Sequence, residues 1–170
     1  LDNTNITDVQ SIGDAWGTNN TLEALYLYNN NITDVQSIGE GLKTNKTLKY
    51  LSLGNNNITD DGGIQSIIDG LKTNNTLRLL DLYNNQLSSN MKSELKDIEQ
   101  YKKAGSNGYI KVENINIPVM KGISPEYIKW GKRFDGKRNV DLNVKKLTDE
   151  DALAIGGLLK TNNTLKVLSL

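Results

Sequence analysis

Histidine and cysteine are both absent from the 170 residues. Without histidine the chain lacks the commonest general base, the commonest zinc ligand and any Ser-His-Asp arrangement. Without cysteine it has no disulfide and no thiolate metal site, although that absence does not fix the compartment. Net charge is missing as well, because 20 Lys plus Arg balance 20 Asp plus Glu. A dedicated nucleic-acid binder usually shows a basic excess or stripe, so no nucleic-acid partner is expected. Nor does the charge give a reason to expect an anionic membrane surface. No apolar run approaches the ~20 residues that span a bilayer. The expectation is therefore a non-enzyme, with no catalytic residue, no cofactor and no metal.

What the chain does contain is repetition. Residues Thr21 to Asp34 read TLEALYLYNNNITD, and Thr47 to Asp60 read TLKYLSLGNNNITD. TLRLLDLYNNQLS follows from Thr76, and TLKVLSL closes the chain from Thr164 to Leu170. A TNxTL phrase precedes the later copies, at Thr44 to Leu48, Thr73 to Leu77 and Thr161 to Leu165.

Period-two alternation in a strand points both leucines of an LxL phrase the same way. Leu25 and Leu27, Leu51 and Leu53, and Leu80 and Leu82 should therefore face one core. The asparagine that follows each phrase (Asn30, Asn56, Asn85) suits a buried position, where its amide satisfies backbone groups leaving the strand. Helical spacing then takes over: Val35, Ile38 and Leu42 share one face, as do Ile64, Ile67, Ile68 and Leu71. Thr33 or Asp34 is the expected N-cap of the first of these helices. One strand–helix unit cannot bury its own apolar face, whereas stacked units bury a continuous core.

The pattern LxxLxLxxNxI closely resembles the leucine-rich-repeat family. The ITD phrase, the long helical stretch and a period of about 28 residues look most like its ribonuclease-inhibitor-like class. The resemblance implies an α/β fold: a leucine-rich-repeat solenoid forming a horseshoe arc, with a parallel concave sheet and helices on the convex side. It leaves function open.

Residues 88–136 lack the repeat phrases, yet the stride runs through them. From Leu25, Leu51 and Leu80 it lands on Ile110, Val140 and Leu168, at intervals of 26, 29, 30, 30 and 28 residues. Ile32, Ile58 and Leu87 continue likewise as Ile117 and Leu147. Ser89 to Lys103 is rich in helix formers, and Ser124-Pro125-Glu126 is a helix-start phrase. Residues 88–147 are thus expected to form degenerate repeats in register, within one domain spanning 1–170. Ile115 and Lys145 stand where the clean repeats have asparagine, so an altered turn is expected there. Neither end carries a polar capping repeat, and the expectation is a piece of a longer array.

With the leucines turned inward, the alternating residues face the concave side. Five of the 7 tyrosines fall there: Tyr26, Tyr28, Tyr50, Tyr83 and Tyr109. Tyrosine is enriched at interfaces, but it also favours strands for packing reasons alone. The functional expectation is a scaffold that binds a protein partner through these tyrosines, oriented by polar residues of the same face: Asp81, Lys111, Glu113 and Asp141. The alternative is a ligand-sensing or enzyme-regulating part of a larger receptor or effector.

Weaker signals read as structural. Seven N-x-Ser/Thr sequons occur, at Asn5, Asn19, Asn31, Asn45, Asn57, Asn74 and Asn162, but they are copies of the repeat phrases. Asp60-Asp61 and Asp149-Glu150-Asp151 are expected to favour helix N-termini. Lysines are scattered along the sequence and read as solvated faces.

Overall fold

The computed structural model describes residues 5–103, 109–111, 139–141 and 147–170. Five helices are described: α1 (Gln10–Trp16), α2 (Gln36–Thr44), α3 (Gln65–Thr73), α4 (Ser89–Lys103) and α5 (Asp149–Thr161). The described strands are β1 (Ala24–Tyr26), β2 (Tyr50–Ser52), β3 (Leu79–Asp81), β4 (Tyr109–Lys111), β5 (Asn139–Asp141) and β6 (Val167–Ser169). All six strands run parallel in one sheet.

The leucines of the repeat phrases pair with one another. Leu25 aligns with Leu51, Leu51 with Leu80, and Leu80 with Ile110. Leu25, Leu27, Leu51, Leu53 and Leu80 have no exposed surface, nor do Ile38, Leu42, Ile67 and Ile68 on the helices opposite them. Full burial of such a side chain stabilises by about 1.5–3 kcal/mol, so this continuous apolar layer holds the stack together.

The strands do not stack in chain order. Their spatial order is β4-β3-β2-β1-β6-β5, so β6 lies against the other side of β1, and β5 lies beyond it. Leu168 aligns with Leu25, and Val140 with Leu168. A sheet continued from β4 directly to β5, the simplest reading of the even stride, is not what forms. The reason lies in the side-chain amides. The last unit carries the clean TNNTLKVLSL phrase, and the first unit needs the carbonyls that such a phrase supplies. Asn19 donates to Leu159 O at 2.8 Å and Asn162 O at 2.9 Å. Asn30 donates to Leu170 O at 3.2 Å. Stride measures spacing along the chain and carries no information about which unit meets which. The turns expected to be altered at Ile115 and Lys145 lie outside the described residues, as does the apolar position Ile117, whereas its counterpart Leu147 is in the core.

Small residues bring the helices together. A Cβ on Gly13 would lie 2.3 Å from Ser37 Oγ, one on Gly39 2.3 Å from Ser66 C, and one on Gly156 2.6 Å from Ser11 C. Helices still pack about 8–10 Å apart while strands are about 4.8 Å apart, which places the sheet on the inside of the curve. The longer interval between Leu51 and Leu80 is taken up by a kinked turn at Asp60–Ile64, where Gly63 has φ 77°. Its Gly62 carbonyl accepts the Val35 N–H at 2.8 Å.

Helix α2 begins one residue later than a cap at Asp34 would place it, and two later than a cap at Thr33. Val35 occupies the cap position without a side-chain bond. Asp34 still accepts the Gln36 N–H at 2.7 Å, so the carboxylate serves the first turn from one residue further out.

Candidate binding faces

Two asparagine ladders frame the sheet. The expected one follows the strands. Asn56 donates to Leu27 O at 2.9 Å and Leu53 O at 3.0 Å, while its Oδ1 accepts the Ile32 N–H at 3.0 Å. Asn85 repeats this with Leu53 O and Leu82 O. The second precedes the strands and was hidden among the sequons. Asn45 donates to Trp16 O at 2.7 Å and Asn19 O at 2.9 Å, and accepts the N–H groups of Thr47 and Leu48. Asn74 does the same one unit on. Both side chains are 2% exposed, which leaves no room for a glycan in the folded chain. The recurrence of asparagine two residues before each strand-leading threonine was the available signal.

These ladders fix the open face of the sheet rung by rung. Tyr26 aligns with Ser52 on one side and Ser169 on the other. Tyr50 lies between Ala24 and Leu79. Ala24, Ser52 and Ser169 are buried, whereas Tyr26, Tyr50 and Tyr83 are half-buried and Tyr28 is 41% exposed. Tyr26 and Tyr50 thus each have a small buried residue on at least one neighbouring strand. Asn29, Asn55 and Asn84 all adopt left-handed backbone conformations at φ 53–60°, which asparagine tolerates better than most residues. Asn84 donates to Asn55 Oδ1 at 2.9 Å, and Asn55 donates to the Tyr28 hydroxyl at 2.6 Å. Sequence reasoning named Tyr28 and missed the asparagine row that holds it.

Asp81 is 6% exposed, and its carboxylate accepts the Tyr83 N–H at 3.0 Å. It lies beside Gly54, whose hydrogen leaves the carboxylate room. Tyr109 and Lys111 take positions in β4, aligned with Leu79 and Asp81. Asp141 is in β5, aligned with Ser169. Glu113 is outside the described residues. Lys111 and Asp141 therefore stand on opposite edge strands of the sheet, with four strands between them. The last unit docks beside the first, which separates these two charged positions across the sheet.

The acidic pairs have structural partners. Asp149 accepts the Thr7 N–H at 2.7 Å, the Thr7 hydroxyl at 2.6 Å and the Asp8 N–H at 3.0 Å. These bonds, the hydroxyl's foremost, hold its carboxyl below the ordinary aspartate value. Asp151 accepts the Thr148 N–H at 2.8 Å in a capping box at the start of α5. Asp60 accepts the Ser88 N–H at 2.9 Å. Among the described residues no group of three His, Cys, Asp or Glu is placed to hold a metal ion, and no helix is long and apolar enough to cross a membrane.

Family models of leucine-rich repeats match two stretches, a pair of copies over 20–66 and one copy over 76–98. These stretches are leucine-rich repeats. Their α/β repeat fold is shared by known structures. The tropomodulin C-terminal domain of Caenorhabditis elegans superposes with a TM-score of 0.53 at 17% identity, covering 96% of this chain and 83% of that one. Leiomodin-1 Actin-Binding Site 2 superposes with a TM-score of 0.51 at 23% identity, covering 68% of this chain and 72% of that one. At such identities the repeats share architecture and nothing finer. A comparison with curated proteins finds no match.

Proposed function

We propose that the chain is a non-enzymatic scaffold that binds a protein partner on the tyrosine-bearing face of its sheet. The observation that carries this reading is the arrangement of Tyr26, Tyr28, Tyr50 and Tyr83, partly exposed on a surface fixed by two amide ladders. Rigid aromatic side chains offer contact area with little entropy left to lose on binding. Leiomodin-1 Actin-Binding Site 2 has a similar fold and binds a protein, which supports the reading. Lys111 would orient a partner at one edge and Asp141 at the other, with Tyr109 and Glu113 extending the β4 side and the nearly buried Asp81 holding the Tyr83 backbone beneath the partner.

Two structural readings accompany this one. Residues 88–147 supply two degenerate repeats of a single 1–170 domain, supported by the alignment of β4 with β3 and of β5 with β6. The units belong to the ribonuclease-inhibitor-like class, supported by α2 and α3, helices of 9 residues each.

A photo-crosslinking residue at Tyr28 captures the partner, and affinity is then measured directly. The triple variant Tyr26→Ala, Tyr50→Ala, Tyr83→Ala should weaken binding by about tenfold or more while keeping the wild-type circular dichroism. Unchanged affinity in a folded triple variant refutes the reading.

A further inference from the structure

Strand pairing gathers charges that are far apart in sequence. Lys166, Glu23, Lys49 and Arg78 each stand one residue before a strand, in the spatial succession β6, β1, β2, β3. Their backbones form one hydrogen-bonded rung: Glu23 N donates to Lys166 O at 2.8 Å, Lys49 N to Glu23 O at 2.8 Å, and Arg78 N to Lys49 O at 2.7 Å. The lysines taken for scattered solvated groups thus form part of a row, about 14 Å long at ~4.8 Å per strand.

One carboxylate in this row serves two ammonium groups. Glu23 Oε2 is 2.6 Å from Lys49 Nζ, and Oε1 is 3.0 Å from Lys166 Nζ. The Lys49 and then the Lys166 hydrogen bonds hold the Glu23 carboxyl below its ordinary value, so it is ionised at neutral pH. Lys46 and Arg78 are exposed and form no ion pair with the described residues. The four cations and Glu23, together with Thr47, Asn75 and Thr76, line an open hollow of about 310 Å³. Four positive charges face one negative there, although the whole chain is neutral.

We propose that this hollow binds an acidic, extended segment of a protein partner, at a site separate from the tyrosine face. An extended chain places same-side carboxylates about 6.6 Å apart, within reach of cations on neighbouring strands. Arg78 offers the planar fork that pairs with a carboxylate, and Lys46 adds a mobile ammonium beside it. The threonine hydroxyls and the Asn75 amide add hydrogen-bonding capacity without charge. Glu23 competes with the incoming carboxylates for Lys49 and Lys166.

Fluorescence anisotropy with a labelled octa-glutamate peptide at low salt tests this on the full chain. The peptide should bind, added salt should weaken it, and an octa-lysine peptide should not bind. Lys46→Ala with Arg78→Ala should lose about fivefold or more, at a wild-type melting temperature because both side chains are exposed. Glu23→Gln should tighten binding by about twofold, since it removes the internal competitor. The proposal is overturned if the double variant binds as well as wild type, or if Glu23→Gln weakens binding. It is also overturned if an oligothymidylate of equal charge binds more tightly and is lost in the same double variant, or if inorganic phosphate displaces the peptide at equal charge concentration. Tyr26→Ala, Tyr50→Ala, Tyr83→Ala should leave the octa-glutamate affinity unchanged, so the two surfaces stand or fall separately.

Discussion

The indole of Trp16 fills the space beside Gly41: a Cβ on that glycine would lie 2.1 Å from Nε1. Trp16 has no exposed surface, so the ring cannot yield. Gly41→Ala improves helix propensity by up to about 1 kcal/mol, but overpacking of this kind costs about 1–3 kcal/mol. The expected outcome is a net loss of stability on urea denaturation, with altered near-ultraviolet circular dichroism. Gly157, also helical, has open space where its Cβ would be. Gly157→Ala should be neutral or stabilising in the same assay.

Asn45 and Asn31 belong to similar sequons but should respond differently to truncation. Asn45→Ala strands two buried carbonyls and two N–H groups, and a loss of roughly 2–4 kcal/mol is expected. Asn31 is exposed, and Asn31→Ala should stay within about 0.5 kcal/mol. Equal losses in the two variants would show that the pre-strand ladder carries no special weight.

The contrast between these asparagines shows what was legible in the sequence. Leu25, Leu51 and Leu80 announced the sheet because alternation is a local property of a strand. Asn30, Asn56 and Asn85 were readable in part for the same reason, since each amide donates to a carbonyl of its own turn as well as to the neighbouring unit. Asn45 was not, because its amide reaches Trp16 and Asn19, and only the packed neighbour reveals those carbonyls. The place of β6 escaped for a related reason. Equal stride suits stacking in chain order and stacking beside β1 alike, and the choice rests on amides of Asn19 and Asn30 that find partners in the last unit. The opposition of Lys111 and Asp141 followed from that choice.

Gly156 faces Ser11 across the contact between α5 and α1, where a Cβ would lie 2.6 Å from Ser11 C and O. In a stacked array each unit contacts only its neighbours. Gly156→Leu should therefore raise amide exchange within 5–16 and 147–170 and leave the amides of 47–82 protected. Uniform loss of protection would show that the stack melts as one unit.

Acid should loosen the same contact. The folded Asp149 carboxyl titrates below its ordinary value of 3.8. Its contribution is full above that value and is lost as pH falls through the lowered one. Amide protection at Thr7 and Asp8 should fall over that acid range before protection at Thr47 and Leu48, whose acceptor is the non-titrating Asn45 amide. Asp149→Asn should remove the difference in pH response.

The bond from Asn30 to Leu170 spans 140 residues, whereas the equivalent bond from Asn56 to Leu27 spans 29. Closing the longer loop costs roughly 1.4 kcal/mol more in chain entropy. Repeat arrays usually nucleate locally and grow by adding neighbours. In this chain, growth along β1, β2 and β3 can proceed with the outer side of β1 uncovered, until the final strand returns to it. The outer side of β1 is then covered only after the 140 residues between Asn30 and Leu170 have been made, and any event that delays residues 147–170 leaves an adhesive strand edge on the folded units.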